Sequence, residues 1–288
     1  MNNNLLEAQK KKRDEFYTLY EDIKYELDHY KEFFKNKVIY LNCDDGHKSN
    51  FFKYFIRNFY IFKLKKLICT GFTLTAKKPG AFIYEGGKYI YVKTNTGDFR
   101  DNIDYILESD IVVTNPPFSL FREYIDFLYK YNKKFIVWGA THCLTYKEIF
   151  PYFSNDNLYI GYIVNKRKSF ETPYNKEIID IGNVTVFTNL KIDKNIPFLC
   201  LTEKYTPDKY VEYDNYKAIN IDKVESIPQD FSGVMGVPIT FLAKYNNKQF
   251  DIVGFRKGTD GMDLRYLKNG KKIEPFCRVL IRKKECTI

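Results

Sequence analysis

The amino-acid sequence predicts an α/β protein: a doubly wound, mostly parallel sheet followed by a smaller β-rich segment. Three observations carry this. From residue 38 to about residue 150, short apolar runs of strand length alternate with stretches of helical periodicity, the pattern of crossover units in a parallel sheet. After about residue 157 the texture changes to successive strand-like runs with few helices. Near the end, Asn269-Gly270 between Tyr266-Leu267 and Lys272-Ile273 is a two-residue hairpin signal.

Taken in order, residues 1–12 are polar and read as a frayed arm. Residues 14–35 carry Leu19, Ile23, Leu27, Tyr30 and Phe34 at helical spacing. Val38-Ile39-Tyr40-Leu41 is a strand, and Ser49 is a good N-cap for a helix over 50–62. Leu67-Ile68-Cys69 is a second strand. Residues 81–92, with Glu85-Gly86-Gly87-Lys88 at the centre, form a hairpin. Residues 103–107 are a short helix, 110–113 a buried strand, 120–131 an amphipathic helix, 135–138 a strand, and 146–150 a helix. Strands are then expected at 159–164, 183–188, 198–201, 252–255 and 278–281. The layout places a catalytic layer over 1–190 and a β-rich segment over 191–288.

The chain has 288 residues and 44% hydrophobic content, enough for a core without disulfides or structural metal. Its 46 Lys and Arg against 36 Asp and Glu leave a net charge of +10, which favours an anionic partner, nucleic acid or an acidic membrane surface. Aromatics reach 18%; rings beside basic residues suit nucleic-acid contact. No run of eighteen apolar residues exists, so no membrane span is expected. The first fifteen residues lack an apolar core with a cleavage site, so a cytoplasmic location is expected. The six cysteines are scattered, no CxxC occurs, and the histidines are His29, His47 and His142. No metal site is expected.

The strand ending at Val113 runs into Asn115-Pro116-Pro117-Phe118. The carboxyl ends of such strands are where ligands bind. Two prolines make a stiff corner, and the residue before a proline is held extended. The Asn115 side-chain oxygen and the Pro116 carbonyl are then two acceptors at fixed separation, with the Phe118 ring close by. An everted base with an exocyclic amine fits this arrangement: two N–H groups donate, the nitrogen lone pair is drawn back from the ring, and Phe118 stacks for about 1–3 kcal/mol. No strong base is required, because the methylated cation loses its proton readily. The plainer reading, a Pro-Pro turn over a buried Phe, stays open.

The first strand ends in Leu41-Asn42-Cys43-Asp44-Asp45-Gly46, with no glycine-rich phosphate loop. Carboxylates there suit a ligand bearing an ammonium and ribose hydroxyls, as S-adenosylmethionine does; they equally favour the N-terminus of the next helix. Gly97-Asp98-Phe99 offers an acceptor and a ring for an adenine. Asp14-Glu15-Phe16-Tyr17-Thr18 is a polar and aromatic entry to a helix, or a plain cap.

Together these stretches resemble the EcoRI-type adenine-specific DNA methyltransferase family. The matching segments are DEFYTLYEDI (14–23), NCDDGHKSNFFKYF (42–55), GDFRD (97–101), DIVVTNPPFSLFREYI (110–125), LTYKEIF (144–150), GVMGVPITFLAKYN (233–246) and RVLIRKK (278–284). The resemblance implies a Rossmann-like fold and S-adenosylmethionine-dependent methylation of adenine N6 in duplex DNA, by a restriction–modification or solitary methylase. Asn115, Pro116, Pro117 and Phe118 would hold the adenine, with Asn115 also beside the cofactor. Tyr17 and Thr18 would contact the cofactor's methionine part; Asn42, Asp44 and Asp45 would line its amino-acid and ribose end; Asp98 and Phe99 would hold its adenine. Gly139-Ala140-Thr141-His142-Cys143 departs from the Asn-rich turn the family tends to carry before LTYKEIF.

Lys166-Arg167-Lys168, Lys271-Lys272 and Arg282-Lys283-Lys284 are basic clusters that suit phosphates or are simply solvated faces. Residues 165–177 and the segment after 205 are expected to choose the DNA sequence, and N6 is reached only by flipping the base. A cognate restriction endonuclease acting separately is a possible partner. Two rivals remain: a methylase of RNA or of protein glutamine using the same acceptors, and a non-catalytic DNA-binding relic of the fold.

Overall fold

The computed structural model describes residues 18–284 except 45, 47–48, 74–77, 95–96, 165, 172–177, 193 and 195; for 72–73, 78, 166–171 and 178–183 it describes the backbone alone. The chain divides into two compact units, Met1–Ile192 and Asp193–Ile288.

The first unit opens with α1 (Tyr20–Leu27), which passes through a tighter turn at Asp28–Tyr30 into a last helical turn at Lys31–Phe34. Then come β1 (Val38–Leu41), α2 (Asn50–Asn58), β2 (Lys66–Thr73), β3 (Lys78–Glu85), β4 (Lys88–Lys93), α3 (Ile103–Glu108), β5 (Ile111–Thr114), α4 (Phe121–Lys130), β6 (Lys134–Ala140), α5 (Phe150–Ser154), β7 (Tyr159–Ile160), β8 (Lys166–Glu171) and β9 (Ile178–Thr188). The sheet order is β4-β3-β2-β1-β5-β6-β9-β7, with β8 also on β9. The expected parallel sheet is its centre: β2, β1, β5 and β6 run parallel. Antiparallel strands extend it on both sides.

Alternation along the strands sorts the two faces. Ile39, Leu41, Ile111, Val113, Ile136, Trp138, Val184 and Val186 share one core with Ile23 and Leu27 of α1 and Phe51, Phe52 and Phe55 of α2. Trp138 meets Phe51 edge-on, 4.9 Å between ring centres. The opposite face takes α3 and α4: Tyr40 lies against Tyr105, Phe135 against Tyr129 and Phe187 against Phe121. Helices on both faces make the sheet doubly wound. Burying each such ring contributes about 1.5–3 kcal/mol.

Three elements differ from the sequence expectation, each for a physical reason. The helix expected at 146–150 begins instead at Phe150, because Pro151 occupies its first turn, where a missing N–H costs nothing; a tighter turn at Thr141–Thr145 precedes it. The strand expected at 159–164 stops at Ile160, since the amides of Tyr162 and Ile163 donate to the Glu26 carboxylate at 2.8 and 2.5 Å. No strand forms at 198–201. There the Gln249 side chain takes the place of a neighbouring strand: its Oε1 accepts from Leu199 N at 2.7 Å and its Nε2 donates to Leu199 O at 2.8 Å.

The second unit is β-rich. It holds β10 (Glu212–Tyr213), β11 (Tyr216–Asn220), β12 (Val234–Pro238), β13 (Phe250–Phe255), β14 (Tyr266–Lys268), β15 (Lys271–Ile273) and β16 (Arg278–Lys283). Five form a sheet in the order β10-β11-β12-β16-β13, and β14 and β15 pair as a separate ribbon. Asn269 and Gly270 both have positive φ, 52° and 73°, as the two-residue turn requires. No helix among the described residues is long and apolar enough to cross a membrane.

Candidate active site

β1 and β5 are neighbouring parallel strands, so the loop after Leu41 and the tetrapeptide after Thr114 leave the same edge of the sheet. Asp44, in the first loop, is only 7% exposed. Its backbone N–H donates to Thr70 O at 3.1 Å. Its carboxylate joins two elements: Oδ1 accepts from Ser49 Oγ at 3.0 Å and Oδ2 from Thr114 Oγ1 at 3.1 Å. Ser49 caps α2 as expected, accepting from Phe52 N at 3.1 Å. Gly71 of β2 lies against this loop; a Cβ there would sit 2.4 Å from Asp44 O, so only glycine fits without displacement.

Asn42 is fully buried. Its Oδ1 accepts from the Tyr124 hydroxyl, which comes from the buried face of α4. Tyr124 also meets Phe99 edge-on, 4.9 Å between centres. Phe99 carries the Arg100 guanidinium over its face at 4.6 Å. Arg100 holds Asp98 Oδ2 at 2.6 Å and Glu123 at 2.6 and 2.8 Å; Glu123 holds its pKa below the ordinary range through this hydrogen bond. Asp98 Oδ1 accepts from Arg100 N at 2.9 Å. Thr18 is brought to the same region by Asn50, the first residue of α2, whose Nδ2 donates to Thr18 O at 2.9 Å.

The tetrapeptide itself bends sharply. Asn115 and Pro117 are half-buried, and Pro116 and Phe118 are buried. Pro117 has φ −52° and ψ 125°, and a turn of tighter helix follows at Phe118–Leu120. Leu120 N closes on Pro117 O at 2.9 Å, and Pro116 O accepts no hydrogen bond among the described residues. Phe118 packs into the core beneath α1 and α2.

The structure thus gathers Thr18, Asn42, Asp44, Asp98, Phe99 and Asn115 through Asn50, Tyr124, Thr114 and Arg100. Lys166, Arg167 and Lys168 lie on β8, paired with β9, and only their backbone is described. Tyr17, Asp45 and residues 172–177 lie outside the described residues. Sequence reading passed over Tyr124 and Thr114. A signal existed: each is a polar residue on an otherwise apolar face, and a buried hydroxyl needs a partner.

Thr18 Oγ1 and Asn42 Nδ2 are buried with no hydrogen-bond partner among the described residues. Leaving such groups unpaired costs about 1–3 kcal/mol each. They suit a ligand with polar groups of its own. Among the described residues no cluster of three or more potential metal ligands occurs.

Beside this edge, the departing turn forms its own cluster. His142 Nε2 lies 3.1 Å from the Tyr146 hydroxyl, and Arg122 stacks over the Tyr146 ring at 4.9 Å. Burial pushes the Cys143 thiol up to about 12, so it stays protonated and unreactive at neutral pH.

Comparison with known proteins identifies relatives along nearly the whole chain. The family profile described as adenine-specific methyltransferase EcoRI matches residues 4–87 and 82–284. A Type II methyltransferase of Escherichia coli, M.EcoRI, is 43% identical over 317 aligned positions, covering 97% of this chain and 96% of its own. M.MgeORF184P of Mycoplasma genitalium is 39% identical, covering 85% of this chain and 84% of that one. M.MpnI of Mycoplasma pneumoniae is 36% identical over 85% and 83%. By this match across nearly its whole length, the chain belongs to the adenine-specific methyltransferase EcoRI family.

Proposed function

We propose that this chain methylates N6 of an adenine everted from duplex DNA, with S-adenosylmethionine as donor, as the modification enzyme of a restriction–modification system or as a solitary methylase in the cytoplasm. A restriction endonuclease acting separately would be its counterpart in the first case. The observation that carries the reading is the Pro116 carbonyl. It lies in a rigid elbow at the carboxyl end of β5, next to Asn115, and takes no hydrogen bond from the described residues. The family description and the names of the relatives support the reading.

In this reading Asn115 Oδ1 and Pro116 O accept the two N–H groups of the exocyclic amine and hold its lone pair out of the ring. Pro117 fixes their spacing. Phe118, packed in the core without DNA, turns toward the base to stack on it. Tyr17, Thr18, Asn42, Asp44 and Asp45 hold the amino-acid and ribose end of the donor, and Asp98 and Phe99 its adenine. The donor, when bound, supplies an electrophilic methyl on a sulfonium. The proton released from the methylated amine passes to water, so no residue need act as a strong base. Lys166, Arg167 and Lys168 contact phosphates.

Incubation with tritiated S-adenosylmethionine and mixed-sequence duplex DNA tests this. Label is expected in N6-methyladenine after digestion to nucleosides. Label confined to RNA or polypeptide, or none despite measured cofactor binding, defeats it.

A further inference from the structure

We infer that the β14–β15 ribbon of the second unit is a DNA-groove probe, carried on its tip by the pair Lys268 and Lys271; this rests on the proposed DNA substrate. The ribbon is anchored at one end only. Tyr266 and Ile273, directly opposite each other, pack at its base with Tyr213, Val234 and Leu280. Beyond them Leu267 faces Lys272, and Lys268 faces Lys271 across the Asn269-Gly270 turn. All six residues from 267 to 272 are exposed.

The charge at the tip is what calls for a partner. Like charges directly opposite on neighbouring strands destabilise a hairpin. Neither Lys268 nor Lys271 has an ion pair or hydrogen bond from its ammonium among the described residues, while Lys272 alone is matched, by Glu274 at 2.8 Å. A folding cost retained at the apex of a projecting element suits a polyanion that sets the two ammonium groups against successive phosphates. Dimensions agree. About three residues separate the anchored pair from the apex, roughly 10 Å at strand rise, and a major groove is about 8.5 Å deep. That groove, about 12 Å wide, admits a two-stranded ribbon, whereas the minor groove at about 6 Å does not. A phosphate surface without grooves would gain nothing from a narrow, single-anchored ribbon.

The test is binding of the full chain to mixed-sequence duplex DNA over a range of salt concentrations, comparing the wild type with Lys268→Ala/Lys271→Ala. Losing two phosphate contacts should lower the slope of log K against log salt by about 1.8 and weaken binding by at least about tenfold near 0.15 M salt. Thermal stability should stay the same or rise, because a repulsive pair has gone. Lys268→Glu provides the second variant: it pairs with Lys271 across the ribbon, keeps the hairpin, and should weaken DNA binding further. If both variants keep the wild-type slope, the ribbon is not a DNA contact. If the wild-type chain itself ignores duplex DNA at low salt, the proposed substrate is wrong, and the two failures are thereby told apart.

Discussion

Thr114 Oγ1 donates to Asp44 Oδ2 at 3.1 Å, tying the last residue of β5 to the loop after β1. The same carboxylate takes Ser49 Oγ at 3.0 Å, and Ser49 in turn caps α2. A continuous set of hydrogen bonds therefore runs from the α2 N-terminus, through one buried carboxylate, to the residue preceding Asn115. Asp44 is placed to aim the tetrapeptide, in addition to the donor-holding role proposed for it.

Thr114→Val separates these roles. It removes the hydroxyl at nearly constant volume and leaves the carboxylate in place. The lost hydrogen bond to a charged group should cost about 1.5–3 kcal/mol of stability. Turnover should fall while cofactor affinity, read by calorimetry, stays within a few-fold. A parallel loss of cofactor affinity would show that Asp44 serves the ligand and not the elbow.

Asn115→Ala removes one of the two proposed acceptors. By analogy with the loss of one catalytic hydrogen-bond partner, turnover should drop by about 10²–10³. Cofactor affinity should change little. Single-turnover kinetics with the tritiated donor measure the chemical step directly, and a variant that keeps wild-type turnover rules out the paired-acceptor mechanism.

Glu26 is a buried carboxylate on α1 that accepts from Tyr30 Oη at 2.8 Å and from the amides of Tyr162 and Ile163. His29 stacks on Tyr162 with 3.7 Å between ring centres. Together they pin the chain that leads into β8. Glu26→Gln keeps the size but turns an amide N–H toward a backbone donor, so a loss of about 2–3 kcal/mol is expected. Urea unfolding of the two proteins compares them; equal midpoints would mean that the loop holds without the carboxylate.

These particular residues show what a sequence does and does not disclose. The central strands and the Ser49 cap were readable because each rests on neighbours in sequence: an apolar run of strand length, or a hydroxyl three residues before an amide. The position of Asn115 was readable for the same reason, since Pro-Pro directly follows the buried strand. Glu26 was not, although it lies on the apolar stripe of α1 with Ile23, Leu27 and Tyr30; the backbone amides it accepts from are more than 130 residues away. Tyr124 reads as one more ring on an amphipathic helix until β1 brings Asn42 beneath its hydroxyl. The missing strand at 198–201 fails similarly, because a side chain fifty residues on replaces the expected ladder. Local hydrogen bonds are written in the sequence, whereas long-range polar ones depend on a fold that must form first.

His142 gives a pH prediction with a definite sign. Burial lowers its pKa below the ordinary 6.5. In the folded chain the imidazole therefore stays neutral at pH values where the unfolded chain already binds a proton. Its contribution to stability is complete above the ordinary imidazole range and is lost as pH falls through 6.5 toward the lower folded value. Stability measured by urea unfolding should accordingly fall between pH 7.5 and pH 5.5 by more in the wild type than in His142→Gln, which cannot titrate. Glutamine keeps a polar group near the Tyr146 hydroxyl, 3.1 Å from the native Nε2, so the comparison isolates the proton from the contact. If the two proteins lose the same stability over that interval, His142 is not held neutral by its surroundings.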